Sequence, residues 1–415
     1  MRSNYKRLGK YIEPVVGRNN ELEGLPLVGL SITKRFIPSI ANTIGTDMST
    51  YRTIYKNQFA YGPVTSRNGD KITIALFQDY EKALISQAYI PFEVKDTNEL
   101  LPEYLMMWFG RPEFDRYARF MSHGSAREIF AWEDMCDVLL PIPSPAKQKE
   151  TVKEYNTIVN RINLNKQLIQ KLEETAQAIY KQWFVDFEFP DENGLPYKSS
   201  GGEMVFNKEV EKEIPKEWEM KTLGYVLEKK GYIRGPFGSA LKVEDMQITG
   251  IPVYEQQHVL DEHRNFRYFI SDKKYKQLYR FSVQPQDILI SCSGVNLGKL
   301  STVKNRDPIG IINQALLILR VNSQIINPIC LKYFLETEEG KRLLIQESGG
   351  SAQPNIAKRE VIQSIPYLLP SKQVSDKIGR VLKIIDEKIE NVREINDKII
   401  QFKNLLLSKL ATIEN

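Results

Sequence analysis

Two long apolar stripes stand out in the pattern of hydrophobic and polar positions. In the first, Val152, Tyr155, Val159, Ile162, Leu168, Leu172, Ala176, Ile179 and Trp183 recur at spacings of three and four, with Asn165 where an apolar residue is due. In the second, Ile378, Leu382, Ile385, Ile389, Val392, Ile395, Ile399, Phe402, Leu406 and Leu410 do the same, and no Pro or Gly interrupts the run after Gly379. A stripe of about 3.5-residue period held over roughly four or five heptads predicts a helix that needs a partner helix. At 1.5 Å per residue each would be roughly 55 Å long, whereas a domain of about 150 residues has a radius of gyration near 15 Å. The helices are therefore expected to project and pair with each other, rather than to lie in a bundle on their own domain.

Ahead of each stripe lies a mixed segment with short β-branched and aromatic runs such as "DKITIAL" and "DILISC", broken by Gly, Pro and Asn. This pattern predicts a compact α+β or strand-rich domain. The two segments resemble each other. "ALISQAYIPFEV" from Ala83 falls on "GIINQALLILRV" from Gly310, with Gln87 on Gln314; "LPLV" from Leu25 falls on "IPVY" from Ile251. Further on, "PAKQ" meets "PSKQ", and "RINLNKQLIQKL" from Arg161 meets "KIENVREINDKI" from Lys388. Several matches in one order at one offset mark a tandem duplication.

The expected organisation is α+β: a globular domain over 1–145, a spacer helix over 146–184, a connector over 185–213, a second globular domain over 214–370 and a second spacer helix over 371–415. Pro190, Gly194, Pro196 and the Ser-Ser-Gly-Gly run stop the first helix and make the connector. If the helices pair as an antiparallel coiled coil, the two globules are related by a pseudo-two-fold axis, like the jaws of a calliper.

Length and composition fit this plan. The 415 residues, 42% hydrophobic and 26% charged, suit two or three ordinary globular domains. No apolar run reaches the roughly 18 residues of a membrane span, and the N-terminus lacks the apolar core of a secretion signal. Three widely separated cysteines, Cys136, Cys292 and Cys330, argue for a reducing cytoplasm over a disulfide framework. A net charge of +5 permits a polyanionic partner without demanding one.

A two-fold object with similar but non-identical ends suits duplex DNA, where paired half-sites lie about 34 Å apart, one helical turn. Arg, Lys, Asn and Gln pair with base edges and phosphates. The first globule offers Lys34, Arg35, Arg52, Arg67, Asn68 and Lys71; the second offers Arg234, Lys242, Gln256, Gln257, Arg264, Arg267, Asn296 and Lys299. Gln87 and Gln314 sit beside strand-like runs and read equally well as buried structural groups. Catalytic signals are weak. His123, His258 and His263 have no ligands at metal spacing, and no nucleophile elbow or dinucleotide fingerprint occurs. Asp191 with Glu219 and Lys221 fits a permissive metal-nuclease pattern only loosely.

At "AIYKQWFVDFEFPDENGLPYKSSGGEM", from Ala178 to Met204, the chain resembles the specificity subunits of type I restriction–modification systems, and the likeness covers essentially its whole length. "IPKEWEMKTLG", "GPFGS" at Gly235 and "GSAQPNIAK…LLPSKQ" are similarly typical. The resemblance implies two target-recognition domains reading a bipartite, asymmetric DNA sequence. It implies spacer helices that fix the gap and dock two methyltransferase subunits, here through Ile162, Leu168, Leu172, Ile179, Trp183, Ile385, Ile389, Val392, Ile399 and Phe402. S-adenosylmethionine, ATP and Mg are expected on the methyltransferase and restriction subunits, with no cofactor or metal on this chain and no membrane partner. Two rival readings are a coiled-coil adaptor that never meets DNA and an autonomous DNA nuclease or methyltransferase.

Overall fold

The computed structural model describes all residues except 1–4, 41–43, 67, 125–126, 261–264, 347–354 and 414–415. In the first globular domain, Tyr5–Arg7 pairs antiparallel with Leu139–Pro141, so the entry and exit of the domain are one ribbon. One sheet has the order Ile12–Pro14, Ile90–Val94, Phe59–Tyr61, Ile74–Leu76. The other has the order Phe36–Pro38, Leu27–Leu30, Lys82–Ile85, Arg52–Tyr55, and in it Leu27–Leu30 runs parallel to Lys82–Ile85. Helices Pro102–Phe109, Pro112–Met121 and Trp132–Cys136 follow.

The second domain repeats this plan. Glu219–Thr222 pairs with Pro366–Leu369. One sheet runs Leu227–Arg234, Leu316–Val321, Ile288–Ser291, Leu300–Thr302. The other runs Phe269–Ile270, Ile251–Tyr254, Ile311–Ile312, again with a parallel step, Val253 opposite Ile311. Helices Pro328–Glu336, Glu338–Leu344 and Arg359–Ser364 complete it. The duplication read from short sequence matches is thus largely a duplication of topology, and among the described residues each copy carries a parallel strand pair, although the sheet that holds it has four strands in the first domain and three in the second.

Local chemistry accounts for the elements. The strands "ILIS" and "LLILRV" are almost wholly buried, which requires continuous apolar runs and not alternation. Asn327 caps the helix after it by accepting from the N–H of Ile329, with Pro328 pre-set for the first turn. Thr337 caps the next helix, accepting from the N–H of Gly340 at 3.0 Å. A Cβ on Gly340 would lie 2.1 Å from the Phe334 carbonyl, so that corner needs glycine.

The long helices span Pro145–Phe184 and Lys372–Lys409. The first is pinned at its start by the fully buried Gln148. Its Oε1 accepts from the N–H of Leu101 at 2.8 Å, and its Nε2 donates to the carbonyls of Glu99 and Pro143. In the second, Ser375 has this role, its Oγ accepting from the N–H of Asn327 at 2.8 Å. Gln373, which the sequence match set on Gln148, is exposed. By role, then, the two helix starts are offset by two residues from the match of "PAKQ" with "PSKQ".

The compact units do not follow chain order. One comprises residues 1–167 and 392–415, the other 168–391, and the division falls inside both long helices. Within the first unit, Leu407 and Leu410 join the core of Leu8, Leu105, Phe109 and Leu140, and the hydroxyl of Tyr5 donates to the Ala411 carbonyl at 2.8 Å. Nearer the middle of both helices, Nδ2 of Asn165 donates to Oδ1 of Asn396 at 3.2 Å, both side chains buried. The end of one helix lies at the start of the other, so the pairing is antiparallel. Within the second unit, Ala176, Tyr180, Trp183 and Phe184 share a core with Val374, Ile378 and Leu382. The connector is no loose tether either: Phe187 and Phe189 are buried, both rings pack against Trp218, and Phe189 also stacks on Tyr197.

The coiled-coil seam departs from the expected stripe. Ile162, Trp183, Ile389 and Val392 are buried, and Leu172, Ile179, Ile385 and Ile399 are half-buried. Leu168, Ile395 and Phe402, however, are 41%, 52% and 57% exposed. The inward line in this stretch is Val392, Asn396, Lys403 and Leu407. It drifts off a strict heptad as a straight helix of about 3.6 residues per turn must. Asn165 interrupts the first stripe because it faces Asn396.

Candidate nucleic-acid interface

In the second domain four loops meet where the strand ends of the two sheets converge. Arg234 ends its strand, and the N–H of Gly235 donates to the Leu316 carbonyl at 3.0 Å. A Cβ on Gly235 would stand 1.8 Å from the Asn313 carbonyl, so the "GPFGS" loop can pack on the 313–315 loop only with glycine there. The N–H of Cys292 donates to the Ala315 carbonyl, joining the 292–299 loop. Gln256 completes the cluster, its Nε2 donating to the Ser291 hydroxyl and the Ser293 carbonyl, each at 2.9 Å. Arg234, Gln256, Asn296 and Lys299, widely spaced in sequence, thus lie on one rim. His258 serves the same rim. It is fully buried, its Nδ1 accepts from the Glu255 N–H at 2.8 Å, and its Nε2–H therefore donates to the Asn265 carbonyl at 3.2 Å.

These side chains are engaged to different degrees. Arg267 makes a forked ion pair with Glu255, at 2.8 and 2.9 Å, and lies over the Tyr268 ring. Gln257 contacts His258 and the Asn265 carbonyl. Arg234 lies 5.7 Å from the Phe237 ring centroid, and its buried Nη1 has no acceptor among the described residues. Lys242 and Lys299 are exposed and form no ion pair among the described residues. Asn296 is half-buried in the short turn 294–296, next to the exposed Val295.

In the first domain Lys34 has turned inward. It adopts a left-handed backbone conformation (φ 60°) at the tip of the 31–35 turn, and its ammonium pairs with Asp115 at 2.8 Å and with the Phe109 carbonyl. Burial pushes this amine below its ordinary pKa although Asp115 opposes the shift. Asp115 also accepts from the Ile72 N–H, so the pair ties two loops to the helix Pro112–Met121. Asn68 closes its own turn, donating to the Val64 carbonyl. Arg52 is half-buried; Arg35 and Lys71 are exposed without an ion pair among the described residues. Burial, reinforced by Arg35 of the first domain and Lys166 of the first long helix, lowers the pKa of the half-buried Lys403 amine on the second long helix. Arg67 and Arg264 lie outside the described residues, as does most of the "GSAQPNIAK" junction.

Gln87 and Gln314 are both exposed, which removes the alternative of a buried structural role. The sequence signal was present, since the two glutamines fall on each other in the duplication. Of the loose nuclease pattern, Asp191 accepts the N–H groups of Asn193 and Leu195 in its own turn, and Glu219 pairs with Lys221 at 2.7 Å. Among the described residues no group of His, Cys, Asp or Glu is placed to hold a metal ion, and no helix is long and apolar enough to cross a membrane.

A topologically duplicated two-sheet domain, each copy with a polar loop rim and a long helix, defines a class of tandem recognition proteins. The comparisons specify it. The profile of the type I restriction modification DNA specificity domain matches residues 6–174 and 215–401, and the chain belongs to that family. It is 25% identical over 320 residues to the type I restriction enzyme MjaIX specificity subunit of Methanocaldococcus jannaschii, covering 75% of this chain and 68% of that one. It is also 25% identical over 139 residues to the HindI specificity subunit of Haemophilus influenzae, about a third of each chain. Its fold matches the crystal structure of the type I restriction–modification S subunit from M. genitalium with a TM-score of 0.55 at 14% identity, covering 99% of this chain and 96% of that one. The chain is a DNA-specificity subunit of the type I kind.

Proposed function

We propose that each globular domain reads one half of a bipartite, asymmetric DNA target through its loop rim. The long helices fix the gap and dock two methyltransferase subunits, with restriction subunits joining in the full complex. The chain itself performs no chemistry: the methyl donor, ATP and Mg belong to the partners. The observation that carries this reading is the twofold occurrence of one topology with differently loaded rims. In the first rim Arg35, Lys71 and Arg52 are the cations left for DNA; in the second, Lys242, Lys299 and Arg234 are. Phosphate contacts by such cations position the duplex, and rim amides and guanidinium groups discriminate bases. Exposed Leu164, Ile395, Phe402 and Leu405 on the helices of the first unit supply apolar area for a methyltransferase subunit.

The test is genome-wide adenine methylation by long-read sequencing, in cells with and without this chain beside its methyltransferase. Deletion is expected to remove one asymmetric two-part motif. Retention of every motif, with the methyltransferase active, would instead favour the adaptor. A four-residue insertion near Ile389, about one turn, is expected to lengthen the gap of that motif.

A further inference from the structure

The two recognition domains keep one surface feature in common while their rims diverge. In each, the chain leaves a strand that lies parallel to its neighbour in one sheet, makes a four-residue turn, and enters a central strand of the other sheet. The turn is Ser86-Gln87-Ala88-Tyr89 in the first domain and Asn313-Gln314-Ala315-Leu316 in the second. In both, the N–H of the fourth residue donates to the carbonyl of the first, Tyr89 to Ser86 at 3.1 Å and Leu316 to Asn313 at 3.2 Å. In both, the first side chain accepts from the N–H of the third residue, Ser86 Oγ from Ala88 at 3.3 Å and Asn313 Oδ1 from Ala315 at 3.0 Å. The glutamine stands exposed at the second position each time and makes no hydrogen bond among the described residues.

Each turn is clamped from outside as well. The Tyr89 hydroxyl accepts from the N–H of Leu30, at the end of the parallel partner strand. The Asn313 N–H donates to Tyr254 at the same place in the second domain, and the Ala315 carbonyl accepts from Cys292. A flexible polar side chain is therefore presented from a rigid corner at the same topological address in both copies.

We propose that Gln87 and Gln314 are DNA-backbone contacts, each donating its side-chain amide N–H to a phosphate oxygen of its own half-site. The inference rests on the DNA-reading function proposed above. Two domains that read different bases have no use for the same base reader at the same place. What two different half-sites do share is the phosphodiester backbone, and glutamine amides are among the groups that bind it. The side chain is neutral, so the contact supplies position and little of the salt-dependent attraction that cations provide.

The experiment uses this chain assembled with its methyltransferase subunits. Anisotropy titrations are run with a duplex carrying the methylated motif and with an unrelated duplex. Gln87→Ala and Gln314→Ala are each expected to weaken binding to both duplexes by the same factor, about three- to tenfold for one lost hydrogen bond. Gln→Glu at either site keeps the size and the turn, yet sets a carboxylate against phosphate, and is expected to weaken binding further. The methylated motif should stay the same in every variant. Relaxation of the motif at one base of the matching half-site would overturn the proposal in favour of base reading. Unchanged affinity in both variants, with the parent complex binding its motif, would overturn it in favour of a purely structural turn. A parent complex that shows no preference for any motif would instead defeat the DNA-reading function beneath it.

Discussion

The two recognition domains share the strand order of one four-stranded sheet and a parallel strand pair in the other sheet, yet they use their polar side chains differently. In the first, Lys34 is drawn inside by Asp115 and the Phe109 carbonyl, and Asn68 closes its own turn. In the second, Arg267 is held in a fork by Glu255, and Gln256 ties the 255–258 and 292–299 loops together. Part of the polar chemistry on each rim therefore builds the rim, and only the remainder is free for a ligand. The comparison teaches that the scaffold is the repeated part and that rim residues diverge in role as well as in identity. It also shows that neither domain is finished by its own segment of chain, because each core is closed by residues from the other copy's long helix.

The largest expected effect breaks that closure. A chain ended after Asn404 lacks Leu407 and Leu410, and the first domain is expected to lose cooperative folding although residues 5–144 are intact; limited proteolysis would show cleavage confined to that domain. Leu410→Ala tests the same core more gently, and a loss of about 2–5 kcal/mol is expected in chemical denaturation. Leu382→Ala, fully buried in the second unit, should cost a similar amount there.

Next comes the polar pair in the helix seam. Asn165→Leu leaves the Asn396 amide buried without its partner, expected to destabilise by about 1–3 kcal/mol. The double replacement by leucine should recover most of that loss, because a matched apolar pair strands no amide. A double-mutant cycle would read the coupling directly.

Smaller effects separate the two rims. Lys71→Glu and Lys299→Glu are each expected to weaken DNA binding several-fold and to flatten the salt dependence by about one unit. Lys34→Gln is expected to lower stability and leave the salt slope unchanged, because its ammonium is already committed inside. The smallest stability change is expected for Phe402→Glu, within about 0.5 kcal/mol, since the ring is largely exposed. The same substitution should weaken capture of the methyltransferase subunit in a pull-down, which distinguishes an exposed docking residue from the buried Leu407 five positions on.

Much of this architecture was legible in the sequence. The 3–4 spacing placed the first long helix and the start of the second to within one residue, because an apolar seam of that length has no other regular solution; the second helix ends at Lys409, short of the expected 415. The duplication was visible because matching core strands need matching apolar runs: "ALI" from Ala83 and "II" from Ile311 both lie in strands with a parallel partner. The break at Asn165 was equally visible, but its reason was not, since Asn396 lies 231 residues away. The candidate DNA residues were chosen by chemistry alone, and no local pattern could reveal that Lys34 meets Asp115 or that Arg267 meets Glu255.

By itself, then, the sequence determined the kind of elements, their order and their repetition, since periodicity and turn residues act over a few neighbours. Tertiary structure alone decided which face of each helix is inward, which copy's helix completes which core, and which polar groups are left free. Those outcomes depend on who meets whom across hundreds of residues, where a single buried amide or carboxylate outweighs the local pattern.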